Sequence, residues 1–159
     1  MFEVFRRHLP DHEATIQLAR AFAEALKGGE LLLLVGDLGA GKTTFTQGVG
    51  RGLGIPESVS ITSPTYNILQ SYTGRLTLHH LDLYRLSFEE ELFELGFDEL
   101  VGREAVVLAE WADRFESTMP QDALWIRIAH ALGGGRDLVI ETSSETVAES
   151  LRSWVGEMS

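Results

Sequence analysis

The sequence contains no cysteine, which excludes disulfides, thiolate nucleophiles and cysteine-type zinc sites and fits a reducing compartment. Its longest uninterrupted apolar runs, such as Leu31 to Val35, are far too short to cross a bilayer. The N-terminus carries Glu3, Asp11 and Glu13 where a signal peptide would be positively charged and then apolar. A cytoplasmic location is expected. Basic residues are scarce, with 13 Lys and Arg against 24 Asp and Glu for a net charge of −11. A field of that sign repels a polyphosphate backbone and disfavours autonomous nucleic-acid binding. One local anion site can still be built from backbone N–H groups, so a nucleotide ligand stays open.

What is present is ordinary for a globular chain: 159 residues, 44% apolar and 23% charged, the size of a single domain spanning residues 1–159. Apolar residues from Ala14 to Leu26 recur at helical spacing between Pro10-Asp11 and Gly28-Gly29, predicting a helix over about 11–27. Leu31–Val35 and Ala105–Ala109 are short continuous apolar runs, expected as buried strands mid-sheet. Residues 66–73 and 76–83, separated by Gly74-Arg75, suggest a hairpin. Ser87 and Glu90 have capping-box spacing for a short helix that Gly96 would end. Residues 124–130 and 136–142 alternate around Leu132-Gly133-Gly134-Gly135, predicting an antiparallel pair with one wet face, and a last helix is expected over about 145–154. The sum is an α/β fold: one P-loop NTPase-like domain with a mixed, mostly parallel sheet flanked by helices and a C-terminal antiparallel hairpin.

Directly after the first buried run stands Gly36-Asp37-Leu38-Gly39-Ala40-Gly41-Lys42-Thr43, a full match to G-x-x-x-x-G-K-[ST] in its strand-then-helix context. Glycines let the backbone turn so that successive N–H groups face phosphate oxygens, and the next helix offers its positive end. Lys42 would bridge the terminal phosphates and the Thr43 hydroxyl would ligate Mg²⁺. In a chain with 16 glycines and only two lysines, Lys27 and Lys42, the pattern arises by chance about 0.003 times. Guanine-specific P-loop proteins read the base with Asn-Lys-x-Asp, but the only asparagine, Asn67, is followed by Ile68, so ATP is favoured over GTP.

Such a site also needs a carboxylate at a strand end to hold the metal or orient water. Asp82 and Glu110 both follow apolar strands, and in parallel sheets that edge binds ligands. Ser63-Pro64-Thr65-Tyr66 falls where γ-phosphate-sensing switch segments often sit. His79 and His80 are adjacent and point to opposite strand faces, which makes joint metal binding improbable and ordinary packing or exposure the simpler expectation. Trp111, seen alone, is more often core than function.

Taken together, GDLGAGKTT (36–44), SPTY (63–66), HLDLYR (80–85), ELG (94–96) and EWADR (110–114) closely resemble the TsaE family, also called YjeE, the P-loop ATPases of tRNA threonylcarbamoyladenosine (t6A) biosynthesis. The resemblance covers about residues 15–114. It implies a Mg²⁺-dependent ATPase that works with TsaD and TsaB, which transfer threonylcarbamoyl to adenosine 37 of tRNAs decoding ANN codons and contact the tRNA themselves. It implies ATP contacts at Leu38, Gly39, Ala40, Gly41, Lys42 and Thr43, and at Thr15 near the adenine. It further implies metal ligands at Thr43 and Glu110, a Walker B-like acid at Asp82, and γ-phosphate neighbours at Ser63, Thr65 and Trp111. A nucleotide contact from the final hairpin is implied near Gly135 or Arg136. Where some relatives have proline after Glu-Trp this chain has Ala112, and no catalytic base is evident.

Two alternatives come from other classes. A small-molecule P-loop kinase would have similar size and fold, but would carry an Arg-rich lid, for which Arg103 and Arg114 are the nearest candidates. A nucleotide-responsive binding module would dock a partner on ATP occupancy alone.

Overall fold

The computed structural model describes residues 1–155. Its strands are β1 (Phe2–Leu9), β2 (Leu31–Val35), β3 (Leu69–Tyr72), β4 (Leu78–Asp82), β5 (Val106–Glu110), β6 (Leu124–His130) and β7 (Arg136–Thr142). Its α-helices are α1 (His12–Glu24), α2 (Lys42–Gly52), α3 (Glu89–Glu94), α4 (Phe97–Leu100) and α5 (Glu145–Val155), and a 3₁₀ segment runs over Ala112–Thr118. The strands form a seven-stranded sheet in the order β1-β7-β6-β2-β5-β4-β3. Neighbours β6, β2, β5 and β4 are parallel, whereas β7 and β3 run against them and β1 runs against β7. The sheet is therefore mixed and mostly parallel, with β6 and β7 as the expected C-terminal hairpin.

Why β2 lies at the centre follows from its composition. Leu32 and Leu34 pack on one face with Phe22, Phe45, Val49 and Leu108, while Leu31 and Leu33 pack on the other with Leu81, Val107 and Phe115. A run apolar on both faces is stable only where both are covered, and each such leucine contributes roughly 1.5–3 kcal/mol on burial. The first face is covered by α1 and α2. Asp11 caps α1 by accepting from the Ala14 N–H at 2.8 Å. At the other end Arg75, from the β3–β4 turn, donates to the carbonyls of Ala23, Glu24 and Leu26, which satisfies terminal acceptors and places a cation at the negative end of the dipole. The two helices approach closely because Gly48 gives α2 no side chain: a Cβ there would lie 2.6 Å from the Ala19 Cβ.

Several local expectations needed correction. β1 was not expected; its alternation is broken by a register shift between Glu3 and Phe5. The first hairpin strand begins at Leu69, since residues 65–67 form a turn and Ile68 adopts φ 66°. At the start of α3 it is Glu91, not Glu90, whose carboxylate accepts the N–H groups of Ser87 and Phe88, each at 3.0 Å. The β6–β7 pair is not simply wet on one face, because Leu124, Trp125 and Ile126 are all buried where β6 joins β2. The predicted last helix coincides with α5 to within one residue. Among the described residues no helix is long and apolar enough to cross a membrane.

Candidate functional site

At the carboxyl edge of the parallel strands, β2 gives way to the loop Gly36–Gly41 and then to α2. Gly39 and Gly41 have φ of 78° and 107°, the left-handed region that glycine enters without Cβ strain. Ala40 points the other way: its side chain is in the core, so only its backbone faces the loop, and its N–H donates to the Asp37 carbonyl at 3.0 Å. Arg136 braces this loop from β7. Its Nε donates to the Ala40 carbonyl and its Nη2 to the Gly39 carbonyl, both at 3.0 Å.

Lys42, at the first position of α2, is buried. Its Nζ donates to the Gly36 carbonyl at 2.6 Å and lies 3.9 Å from the centroid of the Trp111 ring, a cation–π distance. Trp111 reaches this position because its backbone is left-handed, φ 65°, uncommon for so bulky a residue. Its indole also meets the Tyr84 ring edge-on at 5.1 Å.

The two carboxylates singled out in the sequence are register partners, Asp82 on β4 and Glu110 on β5, and both are nearly buried, 5% and 3% exposed. They end neighbouring parallel strands on the same face. Ser63 Oγ donates to Glu110 Oε2 at 3.1 Å and lies 3.3 Å from Thr43 Oγ1. Thr65 Oγ1 donates to Asp82 Oδ2 at 3.4 Å, and Asp82 Oδ1 also accepts the Tyr84 N–H at 3.0 Å. The 63–66 segment thus lays the hydroxyls of Ser63 and Thr65 across both strand-end acids. Leu38, Gly39, Gly41, Lys42, Thr43, Ser63, Thr65, Asp82, Glu110 and Trp111 line one cleft of about 520 Å³, together with His12, Thr44 and Tyr84. Thr15 and Arg136 lie beside it in a 270 Å³ recess that shares His12 and Gly41.

His12, Tyr84 and His80 belong to the site and were missed. His12 Nδ1 sits 3.3 Å from Thr44 Oγ1, a contact between helices with no local signature. His80 is fully buried, its Nε2 lying 2.7 Å from Glu110 Oε2, so it is neither exposed nor simply packed. His79 points to the opposite face as expected; its Nδ1 lies 2.7 Å from Ser71 Oγ, and partial burial lowers its pKa.

Among the described residues no group of three or more histidines and acids could cage a metal. A Mg²⁺ ion keeps several waters and is held by one or two protein oxygens plus phosphate. The Thr43 hydroxyl and the Glu110 carboxylate, joined through Ser63, are the hard oxygen donors such an ion takes.

Comparison with known proteins identifies the family. A family model described as "Threonylcarbamoyl adenosine biosynthesis protein TsaE" matches residues 9–138. The tRNA threonylcarbamoyladenosine biosynthesis protein TsaE of Bacillus subtilis is 44% identical over 127 residues, 79% of this chain and 78% of that protein. The Nostoc protein of the same name is 37% identical over 148 residues, 89% of this chain and 88% of its own. The crystal structure of Bacillus subtilis YdiB superposes with a TM-score of 0.75 at 35% identity, covering 94% of each chain. With the match extending from Leu9 at the end of β1 to Leu138 in β7, the chain belongs to the TsaE family of threonylcarbamoyl adenosine biosynthesis proteins.

Proposed function

We propose that this chain is the ATP-binding and ATP-hydrolysing subunit of the tRNA t6A37 modification machinery, acting in the cytoplasm with TsaD and TsaB to support multiple turnovers. The observation that carries this reading is the convergence of Lys42, Thr43, Ser63, Asp82, Glu110 and Trp111 on one cleft. Backbone N–H groups of the glycine-rich loop and the N-terminus of α2 would take the phosphates, and Lys42 would move from the Gly36 carbonyl to the terminal phosphates. Thr43 and Glu110 would hold Mg²⁺, which supplies charge neutralisation at the β- and γ-phosphates. Asp82, oriented by Thr65 and the Tyr84 N–H, would order a water at the γ-phosphate. The recess at Thr15 and Arg136 would take the adenine side, with Arg136 acting largely through its grip on the loop carbonyls.

The 63–66 segment touches a metal-ligand candidate and a water-ordering candidate at once, so ATP binding and hydrolysis would change its contacts and reset the docked complex. A charge of −11 suits docking on basic partner surfaces that themselves grip tRNA. The kinase alternative is weakened because, among the described residues, both lid candidates are engaged elsewhere. The Arg114 guanidinium donates to the Tyr84 and Leu86 carbonyls, and Arg103 lines a groove with Lys27 and Gly74, at the opposite strand ends. The test is Lys42→Ala in a reconstituted reaction: hydrolysis and repeated modification should be lost together, whereas multi-turnover modification with a dead ATPase would contradict the proposal.

A further inference from the structure

We infer that His80 is a positioning residue for the metal site, setting which oxygen of Glu110 is offered to the cation. This inference rests on the metal-ligand role proposed above for Glu110.

The geometry starts from strand alternation. His80 and Asp82 share one face of β4, two residues apart, and Glu110 ends β5 on the same side. His80 is wholly buried behind the carboxylate, with Nε2 2.7 Å from Glu110 Oε2. A carboxylate oxygen only accepts, so Nε2 must carry the proton and donate. The same oxygen takes the Ser63 hydroxyl at 3.1 Å. Both donors therefore fall on Oε2, and Oε1 receives no hydrogen bond among the described residues, which leaves it as the oxygen for the cleft.

The other ring nitrogen sharpens the point. His80 Nδ1 is buried and has no hydrogen-bond partner. A buried polar atom without a partner is destabilising and calls for an explanation. A leucine or phenylalanine would fill an apolar site without that penalty, so the imidazole is explained by what Nε2 does for Glu110. An outer-shell donor of this kind fixes the ligand's orientation, and its loss commonly weakens metal binding 10–100-fold.

The test is Mg²⁺ titration of ADP binding, followed by calorimetry, with metal-free ADP binding in EDTA as the reference. His80→Leu should raise the Mg²⁺ concentration for half-effect at least tenfold while leaving metal-free ADP affinity within about twofold. His80→Gln, whose amide N–H reaches near the Nε2 position, should restore most of the wild-type Mg²⁺ response, and His80→Asn, whose shorter amide falls near Nδ1, should not. Circular dichroism and thermal melting establish that each variant is folded, and the Gln and Asn pair decides the matter if the leucine variant does not fold. Equal Mg²⁺ responses for Gln, Asn and wild type would overturn the inference. Glu110→Gln run in parallel separates the two failures: if it too leaves the Mg²⁺ response unchanged, the metal-ligand assignment falls, whereas if it abolishes the response while the His80 variants do not, only the role of His80 falls.

Discussion

The ammonium of Lys42 lies 3.9 Å from the centroid of the Trp111 indole. This couples the candidate phosphate-binding lysine directly to the residue after Glu110. A cation–π contact is worth about 0.5–2 kcal/mol, and phosphate oxygens offer the ammonium charge-assisted hydrogen bonds that the ring does not, so nucleotide should draw the ammonium off the ring. MgATP is expected to change tryptophan emission in the wild type, and Trp111→Phe should remove that change although two other tryptophans remain. An undiminished response in the Phe variant would place the reporter elsewhere.

Arg136 grips two successive carbonyls of the glycine-rich loop, and a planar guanidinium does this with a fork that an ammonium lacks. Because each peptide is planar, holding a C=O outward keeps the following N–H on the opposite side. Arg136→Lys should weaken MgATP binding about tenfold, equivalent to about 1.4 kcal/mol, with little change in the melting transition. Calorimetric titration checks both parts, and unchanged affinity would mean that the loop holds its shape without the brace.

Gly48→Ala pits helix propensity against packing. Alanine gains up to about 1 kcal/mol in a helix interior, but its Cβ would meet the Ala19 Cβ at 2.6 Å and the Ile16 carbonyl oxygen at 2.7 Å. Overpacking of this kind costs about 1–3 kcal/mol, and backbone cannot swing aside as a flexible side chain can. The denaturant midpoint should fall. A raised midpoint would show that α1 and α2 separate more easily than their contact implies.

Partial burial lowers the pKa of His79 from its ordinary 6.5. In the window just below pH 6.5 the unfolded chain then binds a proton that the folded chain resists, so stability from this group is complete above pH 6.5 and is lost as pH falls through the lower folded value. Wild type should lose more stability between pH 7 and pH 5.5 than His79→Gln does. Equal losses would assign the acid response to other groups.

Much of the site was legible because its parts carry local signatures. Leu31–Val35 could only be a doubly covered strand, Gly36 to Thr43 gave the loop, and Asp82 and Glu110 end apolar runs. What stayed hidden depends on partners distant in sequence. Nothing local shows that His80 touches Glu110, a pairing that exists only because β4 lies beside β5. Trp111 could be assigned to the site only through the family resemblance, because its left-handed backbone, which turns the indole toward Lys42, leaves no mark on composition. β1 escaped notice for another reason: Arg6, Arg7 and His8 interrupt its apolar pattern, as charged residues commonly do on edge strands. At α3 the one-residue error, Glu90 for Glu91, is within the ordinary slack of helix ends.

The most direct test of the proposed role is Mg²⁺-dependent ATP hydrolysis by this chain alone and then with purified TsaD and TsaB, using Lys42→Ala as the blank for contaminating activity. A slow basal rate that rises when both partners are present is the predicted result. Partners that neither bind the chain nor change its rate would contradict it.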